Sequence, residues 1–330
     1  MKIVFMGTPD FARRPLEYLY SSFSGISGYL GSAKKAKETK KHEILAVVTG
    51  PDKKSGRGLR LIPTAVKSAS QTLGIPVLTP TSLKDENFIN KIKEFNADIF
   101  VVVAFKILPE KLYSIPKFGS INLHGSLLPK YRGAAPINWA IINGETETGL
   151  TTFFLKKKVD TGNIIYQEKI AIKPDETFEK LYERMSESAG PVIEKTLDLI
   201  ETDNYELLTQ NNSKATPAPK LQPADTYINW IQDSEKIVNF IRGLSSIPGA
   251  RSTFRGKLIK IYIGKVAEIE TGKNIQPGQI IKNKHKLFVS TAKGVVEILE
   301  LQPEGKAKMS GDQFLRGYQP RQEEILGESQ

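Results

Sequence analysis

The sequence predicts an α/β fold with a mostly parallel sheet, followed by a small β-barrel domain. Three observations support this prediction. Apolar strand-like runs alternate with helix-like runs over the first hundred residues. The composition changes after about residue 203, and residues 211–225 are rich in Pro, Ala and Asn. Beyond them, short alternating strands recur with turn signals between them, which is typical of a small barrel.

The elements of the first domain follow from the apolar pattern. Strands are predicted at 2–6, 43–49, 75–78 and 98–105, and helices at 11–20, 65–74 and 84–95. Nearly continuous apolar strands are buried on both faces, as in a parallel sheet that helices cover. The first strand–helix turn reads Gly-Thr-Pro-Asp-Phe, not G-x-G-x-x-G, so no dinucleotide cofactor is inferred.

The second domain is predicted from alternating patterns. A helix is expected at 233–244, and strands are expected at 250–256, 257–269, 278–291 and 294–303. The predicted boundaries are a catalytic domain over 1–205, a linker over 206–224 and a barrel over 225–330. The segment 21–42, Ser/Gly-rich and then Lys-rich, interrupts the first domain where a short connection would suffice. We interpret it as an exposed insertion that could extend the first helix.

Composition excludes several classes of protein. The chain has 330 residues, no cysteine and 3 histidines, so it can form neither disulfides nor thiolate zinc sites, and it has no cysteine nucleophile. A three-histidine site would need distant positions to converge, so no metal is predicted. No apolar run reaches the roughly 18 residues of a membrane helix. We therefore expect a cytoplasmic protein without membrane contact, and a monomer, because no pattern indicates a dimer interface.

The net charge of +11 is concentrated in two regions. Residues 1–100 carry 16 basic and 9 acidic side chains, and residues 251–300 carry 10 basic and 4 acidic side chains. Residues 101–200, which lie between them, are nearly neutral. Two interpretations stay open at this point: a solvated lysine-rich surface, or a polyanion held by two domains.

The segment 121–141 carries the densest group of residues capable of chemistry. Asn122 and His124 are two residues apart at the end of a predicted strand, so both side chains project from one face. An amide donor beside an imidazole can stabilise a developing oxyanion and move a proton. The carboxyl end of an α/β strand is also where such sheets bind ligands. The alternative is a strand-end pair that is satisfied locally. Gly125 then allows the chain to turn, and residues 126–129 are predicted to form a loop in which the Ser126 hydroxyl is free.

Two further segments could contribute polar groups. Asp160 lies in an Asp-Thr-Gly loop, where its carboxylate could orient His124 or could be an ordinary turn residue. There is no second Asp-Thr-Gly, which excludes an aspartic protease. Arg57 lies in a Gly-Arg-Gly loop with Lys53, Lys54 and Arg60 beside it. That loop lacks P-loop spacing and could contact phosphates or be ordinary surface.

Taken together, these segments resemble the methionyl-tRNA formyltransferase family. The similarity runs nearly end to end, through MKIVFMGTPDFA, PDKKSGRGLRLIPTAVK, ADIFVVVAF, INLHGSLLPKYRGAAPIN, ETGLTTF, VDTGNIIY and LQPEGKAKMSGDQFLRG. The resemblance implies a doubly wound, mostly parallel, Rossmann-like formyltransferase domain followed by an OB-like barrel that binds tRNA. It implies formyl transfer from the cosubstrate 10-formyltetrahydrofolate to the amino group of methionyl initiator tRNA, for translation initiation.

The resemblance also implies roles for individual residues. It gives catalytic roles to Asn122, His124 and Asp160: the first two, with the imidazole protonated, stabilise the oxyanion, and the third orients the imidazole and relays a proton. The implied folate-binding residues are Phe105, Ile107, Leu108, Ser126, Leu127, Leu128, Pro129 and Val159. The implied tRNA-binding residues are Lys53, Lys54, Arg57, Arg60, Lys220, Arg251 and Lys306.

Four competing interpretations remain. Glycinamide ribonucleotide formyltransferases share the Asn-x-His pair but typically have one domain and no basic barrel. UDP-aminosugar formyltransferases share HGSLLP and a second domain but resemble this chain less at GRGLRLIPTAVK and GAAP. A formyl-folate hydrolase needs no tRNA surface. A non-catalytic RNA-binding module would leave Asn122, His124 and Asp160 unexplained.

Overall fold

The computed structural model describes residues 1–24, 42–55, 60–269, 275–321 and 323–327, which form two compact units. The first unit comprises 1–133, 149–170 and 182–217. The second comprises 134–148, 171–181 and 218–330. Arg57 and most of the predicted insertion, residues 25–41, lie outside the described residues.

One division between the two units, between residues 217 and 218, lies inside the predicted linker 206–224, and the others lie elsewhere in the chain. Residues 206–217 belong to the first unit, where the backbone of Leu208 exchanges hydrogen bonds of 2.9 and 3.0 Å with Ile164. Residues 134–148 and 171–181 belong to the second unit, where the Asn138 amide donates to the Gly243 carbonyl at 2.8 Å. The domain boundaries drawn from the sequence stay a prediction, but 206–217 is a bound part of the first unit rather than a free connection.

A seven-stranded sheet organises the first unit. The strands in this part of the chain are Lys2–Gly7 (β1), Glu43–Val48 (β2), Lys53–Ser55 (β3), Arg60–Ile62 (β4), Val77–Leu78 (β5), Ile99–Val103 (β6), Ser120–His124 (β7), Arg132–Gly133 (β8), Glu147–Phe154 (β9) and Ile164–Ala171 (β10). The order is β10-β9-β7-β6-β1-β2-β5, while β3 and β4 pair separately. The pairs from β7 through β6, β1 and β2 to β5 are parallel, and β7 with β9 is antiparallel. The predicted, mostly parallel α/β sheet is confirmed.

Helices are interspersed with these strands along the chain. They are Asp10–Ser24 (α1), Ala65–Thr72 (α2), Glu86–Glu94 (α3), Glu110–Tyr113 (α4), Pro136–Ile142 (α5) and Phe178–Glu201 (α6). Helix α5 belongs to the second unit, and α2 and α3 begin at side-chain caps. The Thr64 hydroxyl accepts from the Lys67 N–H at 3.0 Å, and the Asp85 carboxylate accepts from the Asn87 N–H at 2.9 Å. Each cap satisfies a backbone donor that the first helical turn leaves free, which fixes where α2 and α3 begin.

The predicted exposure of the insertion 21–42 is wrong at Phe23 and His42, while the extension of the first helix into it is confirmed through Ser24. Helix α1 continues through Ser24, and Phe23 is buried on the same face as Leu16 and Leu19. His42 is also buried, with its ring centroid 5.0 Å from that of Phe23. Burial lowers the pKa of the His42 imidazole, although the Asp198 carboxylate, which accepts a hydrogen bond from the ring, acts to raise it. Helical periodicity therefore extends the core into the segment that composition marked as surface.

Antiparallel strands form most of the second unit. After the short strand Pro217–Ala218 (β11) come helix Ser234–Leu244 (α7), strands Ala250–Phe254 (β12), Lys257–Ala267 (β13), Ile280–Asn283 (β14), Lys286–Ser290 (β15), Val295–Pro303 (β16) and Met309–Ser310 (β17), and helix Gly311–Tyr318 (α8). The sheet order is β12-β13-β16-β15-β14, with β17 on β16. The single strand predicted at 278–291 is wrong. It is the hairpin β14–β15, whose turn places Lys284 at φ 51° without a glycine to signal it.

The chain's last described residues join the two ends of this sheet. The N–H of Ile280, in β14, donates to the Glu324 carbonyl, and the Leu326 N–H donates to Gly278, both at 2.8 Å. The Gly327 N–H donates to Thr253, in β12, at 2.9 Å. Because one segment bonds to both end strands, the sheet closes around its apolar core in the manner of the predicted barrel. Within the described ranges, no helix combines the length and apolar character that crossing a membrane requires.

Candidate active site

Strand β7 places Asn122 and His124 at the carboxyl end of the parallel sheet. It lies between β6 and β9, with Asn122 opposite Val102 and Phe153 and His124 opposite Thr151. His124 is the last residue of the strand. The predicted strand-end location is confirmed, and the two side chains project from the same face because they are two residues apart.

One backbone carbonyl fixes the His124 ring. Its Nε2 lies 2.8 Å from the Tyr131 carbonyl oxygen, and the side chain is 7% exposed. A carbonyl only accepts, so we assign a proton to Nε2, which turns Nδ1 toward the Asp160 carboxylate. Nδ1 lies 3.9 Å from Asp160 Oδ2, too far for a hydrogen bond. Tyr131, not Asp160 as expected, therefore supplies the bond that orients the ring.

Asp160 sits on a tightly held loop. The residue is 9% exposed and adopts φ 54°, and its Oδ2 accepts from the Gly133 N–H at 2.9 Å. A Cβ at Gly162 would overlap the Phe154 carbonyl oxygen, so the loop packs against β9 only with glycine there. This explains the Asp-Thr-Gly sequence: it is a turn, and the turn points a buried carboxylate at His124.

The Asn122 amide is free to bind a ligand. The residue is half-buried and lines a cleft. Within the part of the chain that the structure describes, no group makes a hydrogen bond with this amide. An amide on the wall of a cleft that no protein group occupies is available to donate to a bound ligand, which makes Asn122 a candidate binding position.

The cleft itself is mostly apolar. It encloses about 520 Å³, part of it open to solvent, and Asn122 and Asp160 lie on its wall. The other lining residues are Val102, Phe105, Lys106, Ile107, Leu108, Tyr113, Phe153, Leu155, Lys156, Lys158 and Val159. Four predicted folate-binding residues, Phe105, Ile107, Leu108 and Val159, are therefore among them. Ile107 and Val159, both on this wall, are 74% and 48% exposed, so the cleft presents apolar surface that a ligand could cover.

The other four predicted folate-binding residues, 126–129, do not line this cleft. The Ser126 hydroxyl donates to the Lys130 carbonyl at 2.6 Å, so the expected free hydroxyl is wrong. The Ser126 carbonyl accepts from Thr151 at 2.6 Å, and Leu128 is buried against Phe153 and Ile164. Leu127 and Pro129 are half-buried. The segment is thus a loop that connects His124 to Tyr131 and is held in place by hydrogen bonds and by the packing of Leu128.

The predicted tRNA-binding residues divide into three groups. Lys53, in the first unit, and Lys220 and Lys306, in the second, are exposed. Arg251 is half-buried, and its Nε is buried without a hydrogen-bond partner among the described residues. Arg57 and the side chains of Lys54 and Arg60 lie outside what the structure describes.

One group of potential metal ligands comes together elsewhere in the first unit. Ligand atoms of His42, Asp198 and Glu201 lie within 4.8 Å of one another. Both imidazole nitrogens have partners at 3.1 Å, the Met1 nitrogen and the Asp198 carboxylate. None of the three predicted catalytic residues belongs to this group.

Family models and known relatives match this chain over most of its length. A family model described as "Formyl transferase" matches residues 24–197, and another, "Formyl transferase, C-terminal domain", matches 220–319. The methionyl-tRNA formyltransferase of Pelotomaculum thermopropionicum is 38% identical, covering 100% of this chain and 99% of the relative. The Porphyromonas gingivalis enzyme of the same name is 40% identical, covering 96% of each.

Solved structures share the fold at lower identity. An N-formyltransferase from Helicobacter canadensis, solved with folinic acid and dTDP-3-aminofucose, superposes with a TM-score of 0.61 at 21% identity, covering 94% of this chain and 100% of its own. HypX from Aquifex aeolicus, solved with tetrahydrofolic acid, gives a TM-score of 0.61 at 16% identity, covering 96% of this chain and 47% of its own. At these identities the likeness concerns the fold alone.

Proposed function

The chain belongs to the methionyl-tRNA formyltransferase family, and from this premise we propose that it transfers a formyl group from 10-formyltetrahydrofolate to the amino group of methionyl initiator tRNA, for translation initiation. One observation carries the proposal to particular residues. The unpartnered Asn122 amide and the Asp160 carboxylate line one cleft, and Asp160 faces the buried imidazole of His124. This arrangement suits acyl transfer to an amine, which develops negative charge on one oxygen and releases one proton.

Each residue has a role that its surroundings support. Asn122 donates from its amide to the formyl oxygen as negative charge develops there. His124 is held through Nε2 by the Tyr131 carbonyl, and when protonated its Nδ1 side adds positive charge to the same region. Asp160 is held by the Gly133 N–H and takes up the proton that the amine loses as its nitrogen bonds to the formyl carbon. When the bond between that carbon and N10 of the folate breaks, the same proton passes to N10, so tetrahydrofolate leaves as the neutral amine. Because these hydrogen bonds hold His124 and Asp160 in place before the substrates bind, the two side chains need not reorganise during the reaction.

The cleft suits a folate. Its apolar wall, which includes Phe105, Ile107 and Val159, offers contact to a flat ring system, and Lys106 and Lys158 lie at its lining for an anionic tail. Few polar groups then need to fix the orientation of the ligand. Residues 126–129 support this site by holding the loop that joins His124 to Tyr131. The cleft residues would therefore contact the ligand, whereas residues 126–129 would keep the loop in place.

The tRNA would be bound through phosphate contacts. The two basic regions, 1–100 and 251–300, flank the nearly neutral segment that contains Asn122, His124 and Asp160. Lys53, Lys220 and Lys306 are exposed, as phosphate contacts require, whereas Arg251 is half-buried and its Nε is enclosed by protein. Lys54, Arg57 and Arg60 complete the set proposed from the sequence. We further propose that the protein acts in the cytoplasm and as a monomer.

The choice of acceptor tests the function. Purified protein and 10-formyltetrahydrofolate are incubated separately with methionyl initiator tRNA, methionyl elongator tRNA and an aminosugar nucleotide, and formyl transfer is measured for each. We expect transfer to initiator tRNA at a rate at least tenfold above either of the others. Preferred transfer to the aminosugar nucleotide would assign the chain to sugar formylation. Formate release without any acceptor would indicate a hydrolase.

A further inference from the structure

A glutamine from the predicted linker reaches the candidate catalytic loop. Gln210 is 7% exposed, although the segment around it is polar and rich in Asn. Its Nε2 donates to the Asp160 carbonyl at 3.0 Å and to the Gly162 carbonyl at 2.8 Å. Its Oε1 accepts from Arg132 Nε at 3.1 Å and from Nη2 at 2.6 Å. The buried Gln210 amide thus donates two hydrogen bonds and accepts two.

The donors and acceptors around Gln210 allow only one orientation and favour only one residue type. A guanidinium only donates, so the amide oxygen must face Arg132, and carbonyls only accept, so the amide nitrogen must face the loop. Glutamate has the same shape but would present a carboxylate oxygen to two carbonyl oxygens. Methionine would fill the space and leave buried polar groups unpaired, which is costly.

These bonds secure both backbone segments that meet at the Asp160 carboxylate. On one side, two carbonyls of the loop are held where Asp160 adopts φ 54°, a conformation that is uncommon outside glycine. On the other side, Arg132 immediately precedes Gly133, whose N–H donates to Asp160 Oδ2 at 2.9 Å. The Arg132 backbone N–H is itself bound to the Thr216 carbonyl at 2.9 Å, in the same linker segment as Gln210.

We propose that Gln210 is a positioning residue for Asp160: its amide, anchored by Arg132, sets the separation and direction of the Asp160 carboxylate relative to His124. The inference rests on the catalytic role proposed for Asp160. Gln210 touches neither substrate nor reacting atoms, and it acts by fixing the loop that carries the carboxylate. A displacement of about 1 Å at a reacting group can reduce a rate about a hundredfold.

The decisive variant is Gln210→Glu, which preserves shape and the bonds to Arg132 but removes both donors to the loop. We expect kcat for formyl transfer to fall about ten- to a hundredfold, while KM for 10-formyltetrahydrofolate changes less than threefold, by the geometric argument above. The pH profile of kcat should also shift, because the carboxylate that faces His124 has moved. A purely structural role would lower the unfolding temperature without moving the pH profile. Asn211→Ala, which removes only an exposed turn cap next to Gln210, is the matched control.

Two further variants keep the outcomes distinct. Arg132→Met removes the anchor while leaving the Gln210 donors in place, and it should lower kcat in the same direction if Gln210→Glu fails to fold. Asp160→Asn tests the premise. If Asp160→Asn is strongly impaired but Gln210→Glu has the kcat and pH profile of the unaltered protein, the positioning role is overturned. If Asp160→Asn is fully active, the proposed catalytic site itself is wrong.

Discussion

His124→Ala is expected to lower the formyl-transfer rate constant about 10²- to 10⁴-fold, the range typical for loss of a positioned acid–base group. The reason is geometric. The imidazole is fixed by the Tyr131 carbonyl, and its other nitrogen faces Asp160, so an alanine removes the one ring that joins these two groups. Single-turnover formylation of methionyl initiator tRNA measures this step without interference from product release.

A matched histidine provides the control. The His285 side chain is 79% exposed and pairs with Asp312 in the second unit. His285→Ala should retain the rate of the unaltered protein, and thermal unfolding of both variants should show that each is folded. A folded His124→Ala protein within threefold of the normal rate would contradict the role assigned to this residue.

Asn122→Ala should lower the same rate constant about 10²- to 10³-fold, as loss of one oxyanion donor does elsewhere. Among the described residues the Asn122 amide has no hydrogen-bond partner, so its removal breaks no internal bond and should leave stability nearly unchanged. The KM for 10-formyltetrahydrofolate should change little, because a transition-state contact affects kcat more than binding.

Asn122→Asp sharpens this test, because aspartate preserves size but accepts where asparagine donates. It should be at least as slow as the alanine variant, since it would bring negative charge toward the developing oxyanion. Asn87→Ala, an exposed position on α3, serves as the asparagine control and should be fully active. An active Asn122→Asp protein would show that the amide does not donate to the oxyanion.

The sequence predicted those parts of the site that depend on side-chain identity. Period-two spacing placed Asn122 and His124 on one face of β7, and the apolar runs predicted the strands beside it. It could not predict Tyr131, because that residue contributes a backbone carbonyl and any side chain could stand there. Side-chain types alone therefore assign the orientation of His124 to Asp160, and the structure assigns it to Tyr131 instead.

Composition alone also does not predict that the linker segment binds to the first unit. Pro, Ala and Asn are common in flexible connections, but residues 208 and 216 bind through backbone groups, and Gln210 binds through a single amide. The hairpin β14–β15 is not predictable from composition, because its turn residue Lys284 adopts a positive φ where glycine is the usual signal. Ser126 differs, because a local hydroxyl–carbonyl bond formed where a free hydroxyl was expected.

The most direct test of the central claim, that the Asn122 amide at the cleft wall and the buried His124 imidazole act on one developing charge, is a double-mutant cycle. The single-turnover formylation rate is measured for Asn122→Ala, His124→Ala and the double variant, with methionyl initiator tRNA and saturating 10-formyltetrahydrofolate. Residues that act as a unit lose far less together than the product of their separate effects. We predict that the double variant is within about tenfold of the slower single variant. A loss equal to the full product of the two single effects would contradict the account, because the residues would then be acting independently.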